Sequence, residues 1–426
     1  MNLPWKQWDA RMKQKIAAVI LAGGYSSRMQ QFKPLLPLHG STVIESVIRN
    51  FQQAGIQAIT VVAGHNAEAL RRGVERLGVR VVFNPHYAEG MYSSVVAGVG
   101  SLLAEHGEGI VSGHGADLEA SQGAGFDASL DASHDAVVDA CLLIPADMPL
   151  VRCSTVTRLC SAFYRSGAPV VYPAFQQRRG HPAVISSRLF PAIVSGDGTG
   201  GLRALLAEYD GVAHWESVLD EGILIDLDTP VDYQKAKDEY GQREIPTPSE
   251  CQAILEEMKT PANVVGHGRR VAEVAEEISL RLNEAGLQLN VALVRAAALL
   301  HDLAKGQPGH AEAGARILAQ LGFAGVGQIV GLHMDYKFAQ NAALDEAAIV
   351  YLADKLVQGD RIVPLAVRFE QKFAAAGAML PFVQKRWETA ERLTEAVERL
   401  VGADLLEIIS PKNNLSVAVV ADAPTE

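Results

Sequence analysis

The strongest constraint on what this chain can fold into is an unbroken apolar run over residues 16–21 that ends directly on a glycine turn and is followed by cations. Such a short continuous run reads as a strand of a parallel sheet covered on both faces. Leu21 and Ala22 lead into Gly23 and Gly24, which let the chain turn tightly and bring backbone N–H groups close to phosphate oxygens. Arg28 and Lys33 then supply mobile positive charge. The arrangement suits a nucleoside triphosphate, although two glycines after a strand fit an ordinary strand-to-helix turn equally well. The sequence contains neither the P-loop pattern G-x-x-x-x-G-K-[ST] nor, at this turn, the dinucleotide spacing G-x-G-x-x-G.

A chain of 426 residues suggests two or three domains at about 150 residues each, every one large enough to bury its own core. The 48% hydrophobic and 20% charged content is that of a soluble globular protein. A net charge of −11 argues against general binding to nucleic acid or anionic membrane and confines any phosphate site to a local basic pocket. Cys141, Cys153, Cys160 and Cys251 form no C-x-x-C pair, so neither a disulfide framework nor a cysteine zinc site is expected. Residues 1–15 are polar around Trp5 and Trp8, and the first apolar run is too short for a signal peptide or a membrane span. A cytoplasmic protein is expected.

Residues 16–171 alternate in type: 58–62, 79–83 and 136–144 read as strands, 42–54 and 67–77 as helices. This is an α/β pattern, Rossmann-like with a mostly parallel sheet, and the first domain is placed at 15–240. Within it, 105–133 is rich in Gly, Ala, Ser, Asp and His without apolar periodicity and reads as a flexible surface insertion. His106, His114 and the neighbouring His134 read as solvated loop histidines rather than metal ligands. Residues 241–248 form a polar, proline-bearing linker, and Ser249 with Glu250 reads as a helix start. From 249 to 409 helical periodicity, as at Val264, Val271, Val274, Ala275 and Ile278, indicates an all-α domain. Residues 410–426 form a tail whose strand-like run, 416–420, has no evident role.

Further motifs follow the glycine turn in order. They are the stretch from Asn84 to Ser94, Pro145-Ala146-Asp147-Met148-Pro149-Leu150, Arg179-Gly180-His181-Pro182, the glycine-rich stretch from Gly196 to Arg203, and Asp226-Leu227-Asp228-Thr229-Pro230. Together they resemble the signatures of the molybdenum cofactor nucleotidyltransferases, in particular the cytidylyltransferase branch of that nucleoside-diphosphate-sugar-like class. The resemblance implies Mg²⁺-dependent transfer of a nucleotide from an NTP to the phosphate of a molybdopterin, with delivery to a molybdenum hydroxylase as protein partner. Such chemistry needs positioning and charge neutralisation, since a phosphate nucleophile is already ionised.

Asp147 follows an apolar strand, at the carboxyl end where open α/β sheets bind ligands. It reads either as a turn cap before Pro149 or as one of the few carboxylates that hold Mg²⁺ against substrate phosphates. The resemblance makes it a Mg²⁺ ligand and draws a second from Asp226 or Asp228. Arg28 and Lys33 would contact the β- and γ-phosphates. Ser93 and Ser94 would hydrogen-bond the nucleotide at a helix N-terminus or cap that helix, and His181 reads as acceptor pocket or as a structural histidine. Phe32 before Lys33, where the guanylyl branch carries aspartate, and the Arg179–Pro182 motif favour CTP. Gly23 in place of the cytidylyl branch's usual alanine, and Gln30 in place of its glycine, keep GTP and ATP as alternatives.

In the helical region His267, His301-Asp302, His310, His333 and Asp354 occur in order, with Thr260-Pro261 before the first and the runs Leu299-Leu300-His301-Asp302-Leu303-Ala304-Lys305 and Tyr351-Leu352-Ala353-Asp354-Lys355 around the others. This resembles the HD superfamily of metal-dependent phosphohydrolases. His310 and His333 are most similar to the extra ligands of the dinuclear members, such as bacterial diadenosine tetraphosphate hydrolases and the HD-GYP phosphodiesterases, although the GYP segment is absent. Imidazole and carboxylate ligands suit Fe, Mn or Zn, one or two ions, with Asp302 as the bridge. Lys305, one helical turn beyond His301, would reach a substrate phosphate or serve as a cation at a helix C-terminus.

The reading is thus a bifunctional enzyme. One alternative is nucleotidyl transfer to a sugar phosphate or another phosphorylated alcohol, which would use the same fold and metal chemistry. Alternatives of another class make the HD domain a non-catalytic nucleotide-sensing module, or the whole chain a cofactor-insertion chaperone.

Overall fold

The computed structural model describes residues 15–25, 29, 31–104, 138–339 and 342–409. Arg28, Gln30, the insertion read at 105–133, His106, His114, His134 and the tail 410–426 with its run 416–420 lie outside them. The chain divides into two compact units, Met1–Arg243 and Glu244–Glu426.

In the first unit the elements are β1 (Ile16–Ala22), β2 (Pro37–Leu38), β3 (Ser41–Thr42), α1 (Val43–Gln53), β4 (Ile59–Ala63), α2 (Ala67–Val74), β5 (Arg80–Phe83), α3 (Met91–Ala104), β6 (Ala140–Pro145), α4 (Cys153–Ser166), β7 (Val170–Phe175), β8 (Arg178–Arg179), β9 (Ala183–Ser186), α5 (Phe190–Ser195), α6 (Gly201–Ala207), β10 (His214–Ser217) and α7 (Pro230–Gly241). One sheet runs in the order β10-β7-β9-β6-β1-β4-β5, with β8 added to β7. β1 pairs in parallel with β4 and β6, β4 with β5, and β10 with β7; β9 runs antiparallel between β6 and β7, and the short β8 runs antiparallel to β7. Every residue of β1 is buried, the physical reason its sequence is continuous rather than alternating. A core of Val19, Val62, Val99, Leu143, Ile185 and Phe190 fills one face. The mostly parallel α/β architecture is as the sequence indicates, and boundaries differ by a few residues at most, as helix and strand ends do. The helix read at 67–77, for example, is α-helical to Val74 and finishes as a 3₁₀ turn.

A smaller core of Met29, Leu36, Leu38, Val43, Leu150, Leu227 and Ala236 joins the segments after β1 and β6 to the start of α7. It anchors the loops that carry the candidate site.

The second unit contains α8 (Pro248–Glu257), α9 (Ala262–Glu284), α10 (Val291–Leu300), α11 (His310–Leu321), α12 (Ala324–Leu332), α13 (Glu346–Lys355), β11 (Val357–Gln358), β12 (Arg361–Ile362), α14 (Leu365–Ala375), α15 (Leu380–Val401) and α16 (Leu405–Ile409). Val271, Ala275, Ile278, Val294, Ala297, Ile349 and Leu352 are buried in its core. Two details differ from the sequence reading. The first helix starts one residue earlier than Ser249: Thr247 caps it in a reciprocal box with Glu250, and Pro248 takes the first helical position, where its missing N–H costs nothing. The helical unit also holds the antiparallel hairpin β11–β12, whose two-residue strands are too short to give a period-two signal. Among the described residues no helix is long and apolar enough to cross a membrane.

Candidate functional site

In the first unit the carboxyl ends of β1 and β6 are tied together, the Ala146 amide donating to the Leu21 carbonyl at 2.9 Å. The buried Asn50 of α1 donates to the carbonyls of Pro149 and Val151, fixing the turn that presents Asp147. The Leu227 amide donates to the Asp147 carbonyl at 3.1 Å. Leu227 is fully buried, whereas its neighbours Asp226 and Asp228 are exposed and half-buried.

Lys33, at the start of a proline-bearing 3₁₀ turn, donates its ammonium to Asp228 Oδ1 at 2.8 Å and to Asp147 Oδ2 at 3.3 Å. Burial alone would lower the Lys33 pKa, but the hydrogen bond to Asp228 and the charge of Asp147 outweigh it and the net shift is upward. Asp226 is pushed up by burial and by its neighbours Asp228 and Asp147. Lys33 bonds two carboxylates and Asp226 feels the charge of both, which leaves an excess of negative charge that a divalent cation such as Mg²⁺ would balance.

The β8–β9 connection brings His181 into the field of the same group. Its amide donates to the Ile223 carbonyl at 3.0 Å, and a Cβ on Gly180 would lie 2.3 Å from that carbonyl oxygen, so glycine is what lets the two segments meet. The imidazole pKa is lowered by desolvation, with the Leu143 backbone pulling it upward, Arg179 down and Asp147 up.

Ser93 and Ser94 have protein partners. Asn84 Nδ2 donates to both hydroxyl oxygens, at 2.9 and 3.0 Å, and the Ser93 hydroxyl is within bonding distance of the His86 and Gly90 carbonyls. Ser94 also packs beneath the glycine turn, where a Cβ on Gly23 would meet its Oγ at 2.9 Å. Leu21, Ala22 and Gly23 are buried, whereas Gly24 is exposed. Sequence reasoning missed the rings beside this turn: Tyr25 lies 5.1 Å from His65 and 5.5 Å from Tyr87, centroid to centroid. No local pattern announces a contact between three loops.

The second unit gathers all six of its expected ligands. His267 Nε2 lies 3.1 Å from Asp354 Oδ1, and His301 Nε2 lies 3.4 Å from Asp302 Oδ2 and 3.6 Å from Asp354 Oδ1. On the far side, Asp302 Oδ1 faces His310 Nε2 at 3.3 Å and His333 Nε2 at 3.7 Å. Two sets of donor atoms result, His267/His301/Asp354 and His301/Asp302/His333, each lying within 4.8 Å of one another. They share His301, and Asp302 turns one oxygen toward each side.

Backbone carbonyls fix the tautomers. His267 Nδ1 donates to Gly359, His301 Nδ1 to Ala298 and His333 Nδ1 to Val330, at 2.7 to 2.8 Å. A carbonyl can only accept, so each Nδ1 carries a proton and Nε2 is the atom turned toward the centre. The buried His301 Nε2 has no hydrogen-bond partner among the described residues. Such an orphan on a converging imidazole–carboxylate set fits a transition-metal ion.

Charges inside the cluster are strongly displaced. For His301, burial pulls the pKa down, but Asp302 and Asp354 raise it to about 9. Burial and the neighbouring His301 lower His333 to about 4. Both carboxylates fall well below the usual range: burial opposes this, but His301 and Lys305 act on Asp302, and Lys355 and His267 on Asp354. Lys305 donates to Asp302 Oδ2 at 2.6 Å with half its side chain exposed, so it grips a candidate ligand while remaining reachable from solvent. Lys355, which sequence reasoning did not single out, is buried against Asp354 at 2.5 Å.

Comparison with known proteins gives two family matches. Residues 18–212 match the MobA-like NTP transferase domain and residues 264–358 match the HD domain. All six clustered residues of the second unit lie inside the HD match, and Lys33, Asp147 and His181 lie inside the other; Asp226 and Asp228 fall beyond it. The chain is 25% identical over 226 residues to the molybdenum cofactor cytidylyltransferase of Escherichia coli, covering 53% of this chain and 97% of that protein. It is 27% identical over 222 residues to the nicotine blue oxidoreductase of Paenarthrobacter nicotinovorans, covering 50% and 92%. A shorter match, 50% identical over 50 residues, covers 12% of this chain and 26% of the molybdenum cofactor guanylyltransferase of Xanthomonas euvesicatoria. In family terms the chain is an enzyme in which a MobA-like NTP transferase domain is joined to an HD domain.

Proposed function

We propose that the first unit transfers a nucleotide, CMP by preference, from an NTP to the phosphate of a molybdopterin, and that the second hydrolyses a phosphoester or phosphoanhydride. The observation that carries the first reading is Lys33 held between Asp147 and Asp228 at the carboxyl edge of the sheet. The acceptor phosphate oxygen would attack the α-phosphorus as the bond to the β-phosphate breaks and pyrophosphate leaves. Lys33 and Arg28 would bind the β- and γ-phosphates, and the glycine turn would present its amides to them. Asp147, with Asp226 or Asp228, would hold Mg²⁺, which when bound supplies charge neutralisation for the triphosphate. His181 would line the acceptor side.

The base preference rests on Phe32, the Arg179–Pro182 motif and the similarity to a cytidylyltransferase over 97% of that protein's length. CTP and GTP at equal concentration, offered with molybdopterin, test it: CMP should be incorporated in excess, and excess GMP would overturn the cytidylyl reading. A sugar phosphate consumed in place of molybdopterin would redirect the acceptor.

For the second unit, His267, His301, Asp302, His310, His333 and Asp354 would hold two ions of Fe, Mn or Zn, which when bound supply an activated water and charge neutralisation. Lys305 would meet a substrate phosphate while restraining Asp302. The shared His301 and the two-faced Asp302 favour catalysis over passive nucleotide sensing.

A further inference from the structure

We infer that the buried Lys355 is a positioning residue that restricts Asp354 to one ligating oxygen at the candidate metal centre, so that a coordination position there stays free for water or a phosphate oxygen. This rests on the metal-dependent hydrolase reading of the same unit and assigns a role to a residue that the reading does not use.

The two oxygens of Asp354 are used differently. Oδ1 converges on the imidazoles, 3.1 Å from His267 Nε2 and 3.6 Å from His301 Nε2. Oδ2 accepts from the Lys355 ammonium at 2.5 Å. That ammonium is itself fixed, because it also donates to the His333 carbonyl at 3.3 Å and lies 4.5 Å from the Tyr351 ring centroid. Tyr351 is held in turn by its hydroxyl, which donates to the Arg386 carbonyl at 3.1 Å. Lys355 therefore connects the Asp354 carboxylate on α13 to the end of α12, where His333 supplies a donor to the second set.

Exposure separates this lysine from the other one at the centre. Lys305 keeps half its side chain in solvent, whereas Lys355 is 3% exposed and is enclosed by a carboxylate, a carbonyl and a ring. A substrate cannot reach an ammonium so enclosed, so Lys355 acts through Asp354. A carboxylate ligates a cation through one oxygen or two, and a charge-assisted hydrogen bond on Oδ2 keeps that oxygen from the metal. The fixed positive charge also opposes the binding of a cation nearby. These two effects have the same sign, and it is the reverse of what a simple support would give. A partner that only holds its ligand in place lowers metal affinity when it is lost, commonly by about 10- to 100-fold. Loss of Lys355 frees Oδ2 and removes the opposing charge, so metal should bind more tightly.

The test uses the full-length chain and Co²⁺, with affinity measured by chelator competition and coordination followed by visible absorption. The chain carrying both His301→Ala and Asp302→Ala supplies the baseline for cobalt bound elsewhere. Lys355→Met should bind cobalt about tenfold more tightly than the parent, and its absorption should weaken as a further oxygen enters the coordination shell. Lys355→Gln, which removes the charge but keeps a side-chain donor, should shift both readouts in the same direction. Val397→Ala, which opens the core of α15 away from the centre, should lower stability and leave both readouts at parent values. Cobalt affinity equal to or weaker than the parent's in folded Lys355→Met and Lys355→Gln, or unchanged absorption, would overturn the inference. Failure of both variants to fold even with cobalt present would make Lys355 a structural cross-link and overturn it as well. Parent uptake no higher than the baseline would overturn the metal-centre reading, and this inference with it.

Discussion

Asp147 and Lys33 make the most direct residue-scale test, because their roles depend on charge rather than shape. Asp147→Asn keeps the size of the side chain and loses the anion that faces Lys33, so pyrophosphate release should fall by on the order of 100-fold or more while the thermal unfolding profile stays near that of the parent. A folded variant with full activity would remove Asp147 from the machinery. Both residues were legible in the sequence because each stands at a fixed offset from a strand end. Asp226 and Asp228 were legible only as a pair, since deciding between them requires knowing that Leu227 points into the core and that Lys33 bonds Asp228. The hydrogen bonds from Asn84 to Ser93 and Ser94, like the ring cluster of Tyr25, His65 and Tyr87, were not legible, because they join segments whose spacing in the chain carries no period.

At the scale of elements, an ion network links α4 to the edge strand β10 and carries its own pH signature. Glu216 accepts from Arg158 Nε at 2.8 Å and from Arg165 at 2.7 Å, and lies 2.9 Å from His214 Nε2. Burial alone would raise its pKa, but His214 and the two arginines outweigh this and hold it below the ordinary 4.5. A carboxylate depressed in the folded state contributes stability that is full above its unfolded value and is lost as pH falls through the folded one. Glu216→Gln should therefore cost on the order of 3 kcal/mol near neutral pH, since it strips the carboxylate from a largely buried arginine. The deficit should shrink in acid. Urea unfolding across that range checks this, and a deficit that stays constant into acid would show that packing, not charge, is what Glu216 contributes. Elements long enough to show a period, such as β1 and α9, were readable from sequence; β11 and β12, at two residues each, were not.

Across the whole molecule, the two candidate sites draw on disjoint parts of the chain. Every clustered carboxylate and lysine of the first candidate site lies before residue 243, and every imidazole and carboxylate of the candidate metal centre lies after residue 244, within units that each bury their own core. Domains of this kind keep their chemistry in their own scaffolds. The ligand order in the second unit was visible in the sequence as residue types, but the sharing of His301 between two donor sets was not, since it arises only when α9, the turn after α10, the end of α12 and α13 converge. Replacing His301 and Asp302 together by alanine in the full-length chain removes the shared donor and the carboxylate that faces both sides. Bound metal should fall from about two ions toward none, phosphoester or phosphoanhydride hydrolysis should vanish, and nucleotidyl transfer should stay within about twofold of the parent, a change worth under about 0.5 kcal/mol. Metal analysis and the two activity assays on one preparation decide it. A parallel collapse of nucleotidyl transfer, with the first unit still folded by its own unfolding transition, would mean that the units are coupled and that metal occupancy in the second governs turnover in the first.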